Sequence, residues 1–192
     1  MARKIIVTQY ASIDGVIEDP VGMEGSGLGA WVEPYHRGPA GDAFKISELA
    51  NAGAMIYGRR TYEGFAAVWP EVNDPDGYAT RMNSLPKYVA SRTLKAVEWS
   101  NSQLIEGDLI AAARAIKAQP GGDILIFGSA SVVHELLPAG LIDEVRIMTY
   151  PVLLGRGIRW FPEGSRVALK LLEIRSFEDG ITLTRYATDG TP

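Results

Sequence analysis

The chain has 192 residues, 46% of them hydrophobic and 22% charged, with a net charge of −4, two histidines and no cysteine. That length suits a single domain, residues 1–192, built on one core, and the composition is that of a soluble globular protein. The negative charge argues against a nucleic-acid partner gripped along its phosphates, and the missing cysteines exclude disulfides and thiolate chemistry.

No apolar run approaches the roughly 20 residues of a membrane span, so no membrane partner is expected. Neither histidine has a metal-ligand spacing to Asp or Glu, so no metal is expected. A cytoplasmic location fits best.

Residues 4–10 read as a first strand, because Ile5, Ile6 and Val7 are too short a run for a signal peptide. From Ala11 to about Asp42 the chain is crowded with Gly, Pro and acidic residues. A connection of that length is either functional or disordered. Trp31, Val32 and Tyr35 give it apolar anchors, so a loop lining a pocket is expected. Phe44 to Asn51 predicts a short helix with Gly53 as its stop, and Ala54 to Tyr57 a buried strand. Residues 60–68 predict a helix ended near Pro70.

Asn73 to Gly77 is a turn, Tyr78 to Leu85 a short helix, Lys87 to Ser91 a strand and Gln103 to Glu106 another. Asp108 caps a helix carrying Leu109, Ile110, Ala113 and Ile116 at helical spacing. Asp123 to Phe127 is a strand, followed by a helical stripe of Val132, Val133, Leu136 and Leu137. Asp143 to Leu154, Val167 to Phe177 and Ile181 to Tyr186 read as three successive strands, the last two joined by the tight turn Glu178-Asp179-Gly180. The order predicts an α/β fold with a mixed sheet, parallel in the middle and ending in an antiparallel hairpin. The long apolar strand at 143–154 reads as an edge that a second copy would cover, so a homodimer is expected.

Three strand ends carry anion chemistry. In Gly58-Arg59-Arg60-Thr61 a glycine opens a helix whose free N–H groups lie beside fixed positive charge. Ser91-Arg92 repeats hydroxyl plus guanidinium, and Gly128-Ser129-Ala130-Ser131 is a small-residue strand-to-helix turn. Together they suggest a nucleotide laid across the ends of parallel strands. Asp14, in an Asp-Gly pair, is either a turn residue or a carboxylate for substrate hydroxyls or proton delivery. Trp31 is a pocket wall or a core plug under the loop. His36 and His134 have no glycine-flanked nucleophile to serve and read as surface residues.

These residues resemble the dihydrofolate reductase-like superfamily, in particular the reductase domain at the C-terminal end of bacterial riboflavin-biosynthesis deaminase-reductases and its stand-alone relatives. The resemblance rests on Ser12-Ile13-Asp14-Gly15, Gly58 to Tyr62, Ser91-Arg92, Gly128-Ser129, and Pro151 to Gly155 with Gly157. It implies a three-layer fold with a sheet of about eight strands. It also implies an NADPH-dependent reductase of a small heterocyclic (pyrimidine- or pterin-like) or carbonyl substrate.

By that resemblance Gly58 to Thr61 would hold the adenosine phosphates, with Arg59, Ser91 and Arg92 near the 2′-phosphate. Gly128, Ser129, Ala130, Ser131 and Val132 would meet the pyrophosphate. The loop from Tyr10 to Ile17 would pass the nicotinamide, and Thr149 matches a threonine near the substrate. Two positions depart from the family. Ser129 replaces the second of two adjacent glycines, and Tyr35-His36 follow Trp31 and Pro34 where the folate enzymes place a pterin-binding carboxylate. Two alternatives stay open: a non-catalytic nucleotide-binding or assembly protein on this fold, and a reductase using a flavin or deazaflavin.

Overall fold

The computed structural model describes residues 3–188. Eight strands, β1 (Ile5–Ser12), β2 (Ala52–Gly58), β3 (Lys87–Ala90), β4 (Ser102–Leu104), β5 (Asp123–Phe127), β6 (Glu144–Tyr150), β7 (Leu169–Ser176) and β8 (Thr182–Thr188), form one sheet. Their order is β4-β3-β2-β5-β1-β6-β8-β7. Every pair from β4 to β6 is parallel, while β8 runs antiparallel to both β6 and β7. Five helices, α1 (Gly38–Ala50), α2 (Arg59–Ala66), α3 (Tyr78–Ser84), α4 (Leu109–Ala118) and α5 (Ala130–Leu136), cover the two faces.

The strand pattern explains the layers. Parallel strands are covered on both sides and read as continuous apolar runs, as 124–127 does. Successive side chains alternate between faces. Ile5, Val7, Ala54, Ile56, Ile124 and Ile126 turn toward α4 and α5, whereas Ile6, Met55, Tyr57, Leu125 and Phe127 turn toward α1, α2 and α3. Under the antiparallel half, Trp31, Val32, Phe44, Met148, Tyr150, Ile181 and Leu183 form a third apolar cluster.

The connection from β1 to α1 is an ordered piece built around Asp19. Its carboxylate accepts from the Glu24 amide at 2.7 Å, the Ser26 amide at 3.0 Å and the Ser26 hydroxyl at 2.9 Å. Burial would raise the Asp19 pKa, but these donors hold it below its ordinary value. Trp31 fastens the far end, its Nε1 donating to the Glu18 carbonyl at 2.9 Å.

Three expectations need correction. Helix α1 begins at Gly38, well before Phe44, because Pro39 falls in the first turn, where a missing N–H costs no helical bond. Gly53 does not stop that helix; it lies inside β2, at a register irregularity between Ala52 and Ala54 against β5. The long late strand shortens to Glu144–Tyr150 and lies between β1 and β8, so it is no edge. The free edge on that side is β7, where Leu171, Leu172 and Ile174 are 52%, 47% and 64% exposed. Among the described residues, no helix is long and apolar enough to cross a membrane.

Candidate functional site

Strands β3, β2 and β5 lie side by side and end at one rim of the sheet, so the three predicted turns come together there. Gly58 is extended and leads straight into α2 with no side-chain cap, which leaves amides of the first turn open. A Cβ on Gly58 would stand 3.0 Å from Ser131 Oγ, so glycine is what lets the two strand-to-helix turns approach. Beyond β3, Ser91 Oγ accepts from the amides of Thr93 at 3.2 Å and Leu94 at 3.0 Å and fixes that turn. Beyond β5, Gly128 and Ser129 are both left-handed (φ 53° and 52°), and the peptide between them is trans.

Ser129 explains its own departure from glycine. Its hydroxyl accepts from the Gly58 amide at 2.9 Å, and its amide donates to Thr61 Oγ1 at 3.1 Å. The two turns are clamped to each other in both directions. A left-handed serine is strained by about a kcal/mol or more, and these two bonds offset that cost.

The turns line a groove of about 720 Å³ that takes in Ile17, Gly58, Arg59, Arg60, Thr61, Ser91, Arg92, Gly128, Ser129, Ala130, Ser131 and Val132. Its arginines are not lost in the core. Arg59 donates to Glu63 Oε1 at 2.9 Å and to Thr93 Oγ1 at 2.7 Å from an exposed position. The Arg60 side chain is 70% exposed and 3.8 Å from Glu18, and Arg92 is exposed with no ion pair among the described residues. Of the acids lining the groove, Asp108 spends a carboxylate oxygen on the Ala111 amide. Open helix amides, three guanidinium groups and hydroxyls make a donor set that fits a phosphorylated nucleotide.

A second cavity, of about 240 Å³, adjoins the groove and shares Ile17, Glu24, Thr61 and Gly128 with it. Its walls are largely aromatic and aliphatic: Phe65, Trp69, Tyr78, Met82, Phe127 and Tyr10. Polar groups cluster at the α1 side. Buried Lys45 donates to Glu48 Oε2 at 2.5 Å and Thr8 Oγ1 at 3.1 Å. The ammonium also lies 5.4 Å and 5.1 Å from the ring centres of Tyr10 and Phe127. Burial alone would lower the Lys45 pKa, but Glu48 beside it keeps it raised. Arg37 donates to the Tyr10 hydroxyl at 3.0 Å, and burial pushes Tyr78 up to about 12. Behind the cavity, Glu48 also meets Arg146 at 3.1 Å, and Glu144 joins Arg146 to Arg185.

Four sequence candidates lie elsewhere. Tyr10 lines this second cavity and not the groove, because strand alternation turns it with Thr8 toward α1. Asp14 lines neither space. It accepts from Ser12 Oγ at 2.6 Å and from the amides of Leu154 at 3.1 Å and Gly155 at 2.8 Å, which lower its pKa to about 2. Trp31 is a core plug, edge-on to Tyr150 at 5.9 Å, and Thr149 lies in the β6 ladder between Ala11 and Thr182; both are outside the two spaces.

Sequence reasoning missed Gln9, Glu24, Arg37, Lys45 and Tyr78. The one available signal was Lys45 and Glu48, a charged pair three apart between the apolar Phe44 and Leu49. Gln9 donates to the Gly128 carbonyl at 2.6 Å and so ties β1 to the turn. His36 is exposed, and the His134 ring lies 3.0 Å from the Arg159 carbonyl. Among the described residues no cluster of three or more His, Asp or Glu is placed to hold a metal ion.

Residues 3–183 match the family described as RibD C-terminal domain. The uncharacterized protein YyaP of Bacillus subtilis is 28% identical over 192 residues, covering 98% of this chain and 96% of its own. A putative riboflavin biosynthesis protein from Shewanella sp. PV-4 shares the fold with a TM-score of 0.73 at 23% identity, over 98% of this chain and 99% of its own. Dihydrofolate reductase from Enterococcus faecalis, solved with NADP(H), shares it with a TM-score of 0.59 at 16% identity, over 98% and 99%. The eight-stranded sheet of this chain, mostly parallel with an antiparallel end, is thus a dihydrofolate reductase-like fold.

Proposed function

The chain belongs to the RibD C-terminal domain family, and on that premise we propose that it is an NADPH-dependent oxidoreductase acting on a small, flat heterocyclic or carbonyl substrate. One observation carries the reading: a phosphate-type groove and a small aromatic cavity meet at a common wall of Ile17, Glu24, Thr61 and Gly128. A dinucleotide held by its phosphates on the three turns would bring its nicotinamide end to that wall. The Enterococcus reductase of the same fold, solved with NADP(H), supports the cofactor, and the Shewanella protein, a putative riboflavin biosynthesis protein, supports a heterocyclic substrate.

When bound, NADPH supplies the hydride. The chain's own residues bind, orient and exclude water. Arg59, Arg92 and Ser91 take the 2′-phosphate, and the open amides of α2 with the turn from Gly128 to Val132 take the pyrophosphate. Phe65, Trp69 and Met82 offer the flat substrate an apolar wall, while Tyr78, Lys45 and the Arg37–Tyr10 pair would orient its polar edge. A cytoplasmic location belongs to the same proposal. The free β7 edge pairs with a second copy.

The test is titration with NADPH and with NADH, followed by nicotinamide fluorescence. Saturable NADPH binding at least about tenfold tighter than NADH, some 1.4 kcal/mol, is expected. Equal and negligible binding of both refutes the proposal. Tight binding without turnover across a broad panel of heterocycles and carbonyl compounds favours a non-catalytic nucleotide-binding role, and a coloured purified protein favours a flavin.

A further inference from the structure

We propose that Glu24 is the proton-exchanging acid of this site, protonated beside a reduced nicotinamide and ionised beside an oxidised one. The proposal rests on the reductase reading above. Among the described residues Glu24 is the one titratable side chain that lines both the groove and the cavity, so its carboxyl stands where cofactor and substrate meet.

Its hydrogen bonding is directional. Thr61 Oγ1 already accepts from the Ser129 amide, so the Thr61 hydroxyl proton points to Glu24 Oε1, 3.3 Å away. The backbone bond from the Glu24 amide to Asp19 fixes the residue's place in the loop. Glu18 and Asp19 act on the carboxyl from its own loop and Arg60 from α2, with Glu63 of α2 lining the same surface hollow. Arg37 just before α1, Lys45 of α1, Tyr10 of β1 and Tyr78 of α3 line the cavity with it. The turn from Gly128 to Val132 adds no titratable group. Half-burial and the two neighbouring carboxylates favour the neutral form and raise its pKa, against the Thr61 bond and Arg60.

The chemistry then balances. Reduction of a C=X bond places hydride on carbon and moves the π pair onto X, where a proton must arrive. Glu24 gives up its O–H proton to X and is left as a carboxylate facing a ring that has become cationic. The opposite charges offset each other across the shared wall, and solvent returns a proton to Glu24 after the oxidised cofactor departs.

Dissociation constants for NADPH and NADP⁺ from pH 5 to 8.5, on the wild type, Glu24→Gln and Glu24→Asp, test this without any substrate. Both nucleotides carry the same 2′-phosphate, so its titration cancels in the ratio of the two constants. In the wild type NADP⁺ gains on NADPH as pH rises, by about tenfold for each unit by which the cationic ring lowers the Glu24 pKa. Glu24→Gln, which keeps an acceptor for Thr61, gives a pH-independent ratio, and Glu24→Asp keeps a slope.

Calorimetry of NADP⁺ binding to the wild type and to Glu24→Gln, in buffers of different ionisation enthalpy, registers the proton from Glu24 as the difference between the two, because the 2′-phosphate contributes equally to both. A flat wild-type ratio, or a slope that survives in Glu24→Gln, overturns the role of Glu24 while leaving the reductase reading intact. Failure of either nucleotide to bind at any pH overturns both.

Discussion

Replacing Arg59 with alanine tests the groove most directly. The guanidinium is exposed, with its Nε on Glu63 and one terminal nitrogen on Thr93, which leaves the other free for a phosphate. A unit charge pair at 4 Å gives about 1 kcal/mol in bulk water and about 4 kcal/mol at an effective dielectric of about 20. The side chain is 49% exposed and already shares its charge with Glu63, so a loss of about 1–2.5 kcal/mol toward a 2′-phosphate is expected, or about 5- to 70-fold in affinity. NADH lacks that phosphate, so its binding should change by less than about twofold.

Fluorescence titration of both nucleotides at low and high salt provides the assay. The gap should shrink as salt rises, since the Debye length falls from about 10 Å at 0.1 M to about 3 Å at 1 M. Glu63→Gln, which releases Arg59, should tighten NADPH alone. If Arg59→Ala weakens both nucleotides equally, or spares NADPH, the assignment of this groove to a 2′-phosphorylated dinucleotide is wrong.

Thr61→Val leaves the buried Ser129 amide without its acceptor, at a cost of about 1–3 kcal/mol and about 2–12 °C in melting temperature. Thr61→Ser should recover most of that loss, and a Thr61→Val protein as stable as wild type would dismiss the clamp. Asp14 has its carboxyl depressed to about 2 by Ser12 and the amides of Leu154 and Gly155. Its stabilisation is therefore present above the unfolded value near pH 4 and lost as pH falls toward 2, no more than about 1 kcal/mol once solvent screening is counted.

Acid unfolding of Asp14→Asn should show a deficit that shrinks below about pH 4 and closes near pH 2. Nucleotide affinity should stay unchanged; a loss of binding would return Asp14 to the site. Sedimentation at micromolar concentration should show a dimer for the wild type and a monomer for Ile174→Lys, which places a charge on the exposed β7 edge. A monomeric wild type would end that idea.

The groove was legible because its chemistry is local. Each turn is a short run, Gly58 to Thr61, Ser91-Arg92 or Gly128 to Val132, and parallel pairing of β3, β2 and β5 is enough to gather them. The second cavity was not legible, since Tyr10, Lys45 and Tyr78 come singly from β1, α1 and α3, and each reads as an ordinary core or surface residue. Only tertiary packing places them around one space. Gly53 misled because a glycine after a helix and a glycine in a strand irregularity look alike in one dimension. The late strand misled because its apolar length reads the same at an edge or an interior position, and β8 inserts itself beside it only through the final hairpin.

The two spaces touch along a single seam, yet their outer walls come from separate parts of the chain. Substitutions on α1 and α3 can reshape the aromatic chamber without reaching the groove, so under the proposed function preference for the reduced molecule is free to drift while nucleotide use stays put. Ile17 and Glu24 have no such freedom, because both spaces share them. A directed-evolution campaign for new acceptors should accordingly enrich changes at positions 37, 45, 78 and 82, and leave 17, 24 and 61 alone.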